Sequence, residues 1–140
     1  MSAFIPDTSV SMAWCFEDET NPYSESLLAR LEADEQALVP SLWPLEVANA
    51  LVKAKQRGRV TEAQILGFLE DPGEFAIHID TRGVYRALTE VRFLAERYQL
   101  TSYDAAYLEL AMRTGTPLAT LDDRLRQAAV KAGIKIVPQP

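Results

Sequence analysis

Residues 101–125 read TSYDAAYLELAMRTGTPLATLDDRL, and this stretch decides the fold. Its pattern predicts a helix from Ser102, a turn, a short apolar strand over residues 118–120 and the start of a further helix. In open α/β sheets, ligands bind at the carboxyl ends of strands, close to helix N-termini. Asp104 and Asp122 both fall at such positions. Each is therefore either a helix cap or a ligand of a metal ion.

Short apolar runs alternate with amphipathic segments on both sides of this stretch. Strands are predicted at residues 4–5, 37–39, 75–79, 118–120 and 134–137. Helices are predicted over residues 9–16, 22–33, 42–57, 61–70 and 84–98, from 102, and over 123–132. This alternation predicts an α/β fold with a parallel sheet of about five strands flanked by helices. No linker or repeat interrupts it, so residues 1–140 are expected to form a single domain.

The composition limits the classes of protein to which this chain can belong. Of 140 residues, 48% are hydrophobic and 24% charged, which is typical of a folded globular domain. No apolar run approaches the roughly 20 residues needed to cross a bilayer, and the N-terminus lacks the basic region of a signal peptide. Cys15 is the single cysteine, so no disulfide can form within the chain. We therefore expect no membrane association and a cytoplasmic location.

The formal net charge of −6, from 14 basic and 20 acidic residues, counts against a nucleic-acid partner at first sight. Proteins that bind phosphates usually carry a basic surface. The objection weakens if several acids converge on a divalent cation, because the ion is then the largest local charge. Net charge alone therefore does not decide whether the chain binds nucleic acid.

Four acids could meet at one edge of the sheet. Asp7 follows the first strand and Asp122 follows the fourth, while Asp104 begins a helix and Glu46 borders the buried face of the third helix. Crowded carboxylates repel one another and are costly to bury. Mg²⁺ or Mn²⁺ would relieve this repulsion, because these ions prefer oxygen ligands. The sequence has no cluster of cysteine or histidine, which argues against a zinc site.

The same acids have a purely structural interpretation. Asp7 and Asp122 could be simple N-caps, and the spacing of Thr101 and Asp104 resembles a capping box with aspartate in place of glutamate. Spacing alone leaves the two interpretations open.

The chain resembles the PIN domain family, and within it the VapC-like ribonuclease toxins of type II toxin–antitoxin systems. Four motifs carry the resemblance by their order and spacing: PDTSV at residues 6–10, LEVANAL at 45–51, SYDAAY at 102–107 and LATLDDRL at 118–125. The resemblance covers nearly the whole chain.

The resemblance implies a Mg²⁺- or Mn²⁺-dependent endoribonuclease whose acidic quartet is Asp7, Glu46, Asp104 and Asp122. Asp7, Asp104 and Asp122 would hold the metal ion directly or through water, and Glu46 would complete or orient the ligand set. The expected partners are an RNA substrate, a cognate antitoxin and a second copy of the chain in a homodimer.

Three further residues are implied as supporting ones. Ser9 and Thr120 match small polar residues that hold the acids in place in this family. Asp123 stands at a position that varies in the family and is frequently basic. It could replace Asp122 as the ligand, so the choice between them stays open.

Two other classes of protein compete with the nuclease. A catalytically silent PIN-like module would only make protein contacts, although the presence of all four acids argues against it. A receiver-type phosphoacceptor domain would carry paired acids after its first strand and a lysine after a late one. Here Asp7 stands alone, and Lys135 lies inside the last predicted strand.

The sequence indicates candidate contact surfaces less specifically than it indicates the site residues. The apolar stripes around Trp43 and along the second and fourth helices could contact the antitoxin or a second copy. Two basic clusters are either solvated helix faces or phosphate contacts: Lys53, Lys55, Arg57 and Arg59 in the first, and Arg124, Arg126 and Lys131 in the second.

Overall fold

The structure, a computed structural model, describes residues 2–70 and 77–139. Its strands are β1 (Ala3–Pro6), β2 (Gln36–Pro40), β3 (Ile77–Asp80) and β4 (Leu118–Ala119). Its α-helices are α1 (Thr8–Cys15), α2 (Pro22–Glu32), α3 (Trp43–Gln56), α4 (Glu62–Glu70), α5 (Arg92–Tyr98), α6 (Ser102–Thr114) and α7 (Asp123–Lys131). The predicted α/β fold is confirmed, while residues 75 and 76 of the predicted third strand lie outside the described residues.

The described strands form one parallel sheet in the order β3-β2-β1-β4. Phe4 and Ile5 of β1 are at most 1% exposed, as expected for a central strand covered by helices on both faces. The order is not the 2-1-3-4-5 of receiver domains. This strand order therefore excludes a receiver-type phosphoacceptor domain.

The predicted fifth strand, residues 134–137, is reduced to a single bridge between Leu118 and Ile136. The backbone N–H of Leu118 donates to the carbonyl of Lys135, and that of Val137 donates to the carbonyl of Leu118. Because β4 has only two residues, it offers too short an edge for a longer ladder. The described sheet accordingly has four strands where about five were predicted.

The predicted helix over residues 84–98 is interrupted. A 3₁₀ turn over Gly83–Arg86 and a π turn over Ala87–Val91 precede α5. The irregular turns bring the guanidinium of Arg86 to 3.5 Å from the carboxylate of Glu109, which lies on α6 and is 3% exposed. A long-range ionic contact therefore accompanies the break in helical periodicity.

Two helices begin as their capping residues predict. Asn21 caps α2 with its side chain and Pro22 is the first helical residue. Ahead of α4, the backbone N–H of Thr61 donates to Gln64 and the N–H of Gln64 donates back to the Thr61 hydroxyl. Over the described part of the chain, we find no helix with the length and apolar character needed to cross a bilayer.

The core around the candidate site joins β1, β4, α6 and α7. Ile5, Leu108, Leu118 and Leu125 contribute one side chain from each of these elements, and all four are fully buried. Burying each such side chain is worth about 1.5–3 kcal/mol. This packing fixes the ends of β1 and β4 against the start of α6.

Candidate active site

Asp7 and Asp122 follow neighbouring strands at the carboxyl edge of the sheet. Strands β1 and β4 pair in parallel, with Pro6 opposite Ala119, and the backbone N–H of Asp7 donates to the carbonyl of Ala119. The two acids therefore leave the sheet side by side, as their positions in the sequence predict.

Asp7 is 5% exposed, and hydroxyl groups surround its carboxylate. Ser9 donates to Oδ1 and Thr120 donates to Oδ2, while the backbone N–H of Val10 donates to Oδ1 over 3.2 Å. Ser9 is itself held by the backbone N–H of Leu121, 3.0 Å away. Asp7 thus caps α1 and is also bound to the end of β4, so its capping role is confirmed, while its role as a metal ligand stays a prediction.

Burial raises the pKa of Asp7 above its usual value, and the hydrogen bonds from Ser9, Thr120 and Val10 oppose this rise. The negative charge of Asp122 raises the pKa further. These three donors hold the carboxyl group of Asp7 in a fixed position.

Glu46, in the first turn of α3, is held through one oxygen. The hydroxyl of Thr8 donates to its Oε1 over 2.7 Å, and the hydroxyl of Tyr107 donates to the same atom over 2.6 Å. The two hydroxyl oxygens lie 3.0 Å apart. Oε2 of Glu46 accepts no hydrogen bond from any described residue and is left available to a ligand.

Asp104 lies half-buried in the first turn of α6. Thr101 caps this helix by accepting a hydrogen bond from the backbone N–H of Asp104, whose own carboxylate accepts none from the described residues. Burial raises its pKa most, followed by the charges of Asp122, Asp7 and Glu46, while Arg124 lowers it. The negative charges of the other three predicted acids therefore act on the carboxyl group of Asp104.

Asp122 and Asp123 have different surroundings although they are adjacent. Asp122 caps α7 by accepting hydrogen bonds on Oδ1 from the backbone N–H groups of Arg124 and Leu125. Its own N–H donates to the hydroxyl of Thr120. The side chain of Asp123 is 82% exposed and pairs with Arg126. The geometry favours Asp122 over Asp123 as the acid of the site.

Sequence reasoning missed the roles of Thr8 and Tyr107. Tyr107, the last residue of the SYDAAY motif, is 1% exposed, and its hydroxyl reaches Glu46. The available signal was the requirement that a buried tyrosine hydroxyl find a hydrogen-bond partner. Tyr107 also follows Asp104 by three positions on one helix, which puts both residues on neighbouring parts of its surface.

The oxygen donors suit a hard cation in chemical type. Within residues 2–70 and 77–139, however, no three acidic, cysteine or histidine side chains are grouped closely enough to hold an ion as they stand. Oδ1 of Asp122 is engaged in capping, and both oxygens of Asp7 are hydrogen-bonded. The oxygens that accept no hydrogen bond from the described residues are Oδ2 of Asp122, Oε2 of Glu46 and both carboxylate oxygens of Asp104.

Comparison with known proteins agrees with this arrangement. The sequence matches the PIN domain family over residues 4–131, a span that includes all four acids. It is 37% identical to Ribonuclease VapC3 of Pyrobaculum aerophilum over 93 residues, which are 66% of this chain and 69% of that relative. The crystal structure of PAE2754 from Pyrobaculum aerophilum aligns with a TM-score of 0.65 and 25% identity, over 91% of this chain and 86% of that one.

The family match over residues 4–131, on a parallel sheet with acids at its carboxyl edge, shows that the chain belongs to the PIN domain family. Within the family it is a VapC-like protein, because its similarity to Ribonuclease VapC3 extends over about two-thirds of each sequence.

Proposed function

We propose that this protein is a metal-dependent endoribonuclease and the toxin of a toxin–antitoxin pair. The observation that carries the proposal is the convergence of acids at the carboxyl edge of the sheet, where Asp7 and Asp122 leave neighbouring strands beside the half-buried Asp104. Burial and then the charges of the neighbouring acids raise the pKa of Asp104. Such a group gains from a divalent cation, which neutralises the repulsion. The similarity to Ribonuclease VapC3 supports RNA as the substrate.

In this proposal, Asp7, Asp104 and Asp122 hold Mg²⁺ or Mn²⁺. Such an ion stabilises charge at phosphorus and activates water at neutral pH. Ser9 and Thr120 keep the carboxylate of Asp7 in position through the hydrogen bonds described above. Thr8 and Tyr107 orient Glu46 so that only Oε2 remains available. No side chain of this set needs to act as a nucleophile.

Cleavage of a structured RNA by the purified protein tests the proposal. We expect cleavage with Mg²⁺ or Mn²⁺, no cleavage with chelator, and a loss of about 100-fold or more in Asp7→Asn and Asp104→Asn. Glu25→Gln, an exposed change on α2, is the control and should keep full activity. Full activity in both aspartate variants would reveal a contaminating nuclease and refute the site.

A catalytically silent module is the second candidate. It is favoured by one observation, the lack of three suitably grouped ligands among the described residues. Titration calorimetry with Mn²⁺ separates the two. The nuclease should bind the ion and lose that binding in Asp104→Asn, whereas a silent module should bind none and cleave no RNA.

The expected antitoxin has a suitable surface. An apolar groove of about 890 Å³ is lined by residues of α2, α3, α4 and β3, among them Leu28, Trp43, Ile65 and Ile79. Residues of the stripes predicted around Trp43 and along α4 line this groove together with Leu28 of α2. The other large apolar residues of α2, namely Tyr23, Leu27 and Leu31, are buried in the core. We propose that the groove receives an apolar segment of the antitoxin. Leu28→Glu should weaken copurification with the product of an adjoining small reading frame.

For the homodimer, we propose the exposed apolar face that precedes α5. Tyr85 and Leu88 are 88% and 81% exposed, which is unusual for such large apolar side chains. Light scattering should show a dimer that Tyr85→Glu converts to a monomer, while Val130→Glu on α7 should not. We expect the protein to act in the cytoplasm, where RNA is present and the thiol of Cys15 stays reduced.

A further inference from the structure

A polar groove of about 600 Å³ lies between the end of α5 and one face of α7. Three cations line it, namely Arg97, Arg124 and Lys131, together with Gln99 and Gln127. Its lining, as far as the described residues go, includes no carboxylate. Because the chain has 20 acidic and 14 basic residues, this groove is a local excess of positive charge on an acidic protein.

Among the residues that the structure describes, the cations of the groove form no ion pairs. Elsewhere arginines pair with acids, as Arg59 does with Asp18 and Arg113 with Asp80. Within residues 2–70 and 77–139, no carboxylate oxygen comes within 4.0 Å of a charged nitrogen of Arg97, Arg124 or Lys131. Their charges are therefore available to a ligand.

Helical spacing arranges the α7 wall. Arg124, Gln127 and Lys131 recur at intervals of three and four residues and so share one face of the helix. Arg124 and Lys131 are about 10 Å apart along the axis. Arg97, whose guanidinium lies over the ring of Tyr98, supplies the opposite wall from α5.

Arg124 connects the groove to the acidic site. Its backbone N–H donates to the carboxylate of Asp122 over 2.9 Å, and its guanidinium donates to the carbonyl of Gln99 over 2.6 Å. Arg124 also lowers the pKa of Asp104. The groove therefore begins beside the predicted catalytic acids.

We propose that this groove binds the phosphodiester backbone of the RNA on one side of the scissile phosphate. The inference rests on the proposed function and adds a substrate-binding site to it. Guanidinium and ammonium groups bind phosphate oxygens through charge-assisted hydrogen bonds. Such contacts supply affinity and position without reading sequence. Arg97 and Lys131 hold the backbone, and Arg124 lies between them and the acids.

The alternative role of Arg97 and Lys131 is to complement helix dipoles, since each lies in the last turn of its helix. Lys53 offers a matched control. It also lies in the last turn of a helix, α3, and is exposed. A change of Lys53 to Gln therefore removes the same charge from the same kind of position outside the groove.

Binding of a labelled single-stranded RNA to the full chain tests the groove, with Asp104→Asn present throughout to prevent cleavage. Fluorescence anisotropy would be measured between 50 and 200 mM salt. We expect Arg97→Gln and Lys131→Gln each to weaken binding about 5-fold at 0.1 M salt, and to reduce the slope of log affinity against log salt by about 0.7. Lys53→Gln should change affinity by less than about 2-fold.

Equal losses in Lys53→Gln and the groove variants would overturn the inference, as would no loss in either groove variant. Tighter binding of polyglutamate than of RNA would overturn it too, because the groove would then suit an acidic protein segment. Cleavage by the unmodified protein tests the function separately. The groove and the nuclease can therefore fail independently.

Discussion

The hydroxyl of Tyr107 donates a 2.6 Å hydrogen bond to Oε1 of Glu46, a residue 61 positions away in the chain. Burial, followed by this bond to a carboxylate, raises the pKa of Tyr107, so its hydroxyl stays a proton donor throughout the neutral range. The ring is anchored in the core at 1% exposure. The side chain of Tyr107 thus packs in the core and also orients the carboxylate of Glu46.

Tyr107→Phe removes only the hydroxyl. We expect Mn²⁺ affinity and RNA cleavage each to fall about 10-fold, as is usual when a group that orients a metal ligand is lost. The free energy of unfolding should fall by about 1 kcal/mol. Calorimetric titration, cleavage rates and urea melts measure the three quantities. Tyr103→Phe on the same helix, where the ring is 64% exposed, is the control and should leave all three unchanged.

Thr120→Val should leave the buried carboxylate of Asp7 without one of its donors. We expect the free energy of unfolding to fall by about 1–3 kcal/mol, together with a loss of cleavage. Chemical denaturation at pH 7 measures the stability. Thr20→Val, at an exposed threonine, makes the same chemical change without this penalty. Equal stability of the two variants would show that the Thr120 hydroxyl does not support Asp7.

Asn substitutions distinguish Asp122 from Asp123. Asparagine caps helices as well as aspartate does, so Asp122→Asn should fold normally and lose only the charge. We expect Asp122→Asn to lower RNA cleavage by about 100-fold and Asp123→Asn to change it by less than about 2-fold. The reverse result would make Asp123 the ligand.

Asp104→Asn should stabilise the metal-free protein at neutral pH. Burial and then the charges of Asp122, Asp7 and Glu46 raise the pKa of Asp104 above the value of 3.8 for the unfolded chain. The stability contributed by its protonated form is fully present below pH 3.8 and is lost as the pH rises through the folded-state pKa.

With chelator present at pH 7, we expect the Tm of Asp104→Asn to exceed that of the unmodified protein by about 1–4 °C. This difference should disappear below pH 3.8, where the carboxyl is neutral in both folded and unfolded chains. Thermal melts across this pH range measure it, with Glu25→Gln as the control. A lower Tm for Asp104→Asn at pH 7 would contradict the repulsion inferred for the four acids.

The sequence predicts the strands and most helices because their apolar periodicity and capping residues are local. Prediction from the sequence fails where contacts between residues far apart in the chain determine the local structure. The break before α5 accompanies the contact of Arg86 with Glu109, and the fifth strand is limited by the two-residue length of β4. Neither feature has a local signature. That residues 1–140 form a single domain stays a prediction.

The candidate site divides in the same way. Asp7 and Asp122 are predictable because parallel strands bring their carboxyl ends to one edge. The hydroxyl groups that hold Glu46 come from α1 and α6, and no spacing in the sequence indicates that these helices present Thr8 and Tyr107 to one oxygen. The positions of the predicted ligands follow from the order of the strands, whereas the residues that hold them in place follow from side-chain packing.

The hydrogen bond between Thr120 and Asp7 joins residues 113 positions apart, and it also affects the order of events during synthesis. The ribosome releases Asp7 well before Thr120, which follows it by 113 positions. Strand β1 lacks its neighbour β4 throughout that interval. A nascent chain, or one truncated before Thr120, therefore cannot complete the acidic edge.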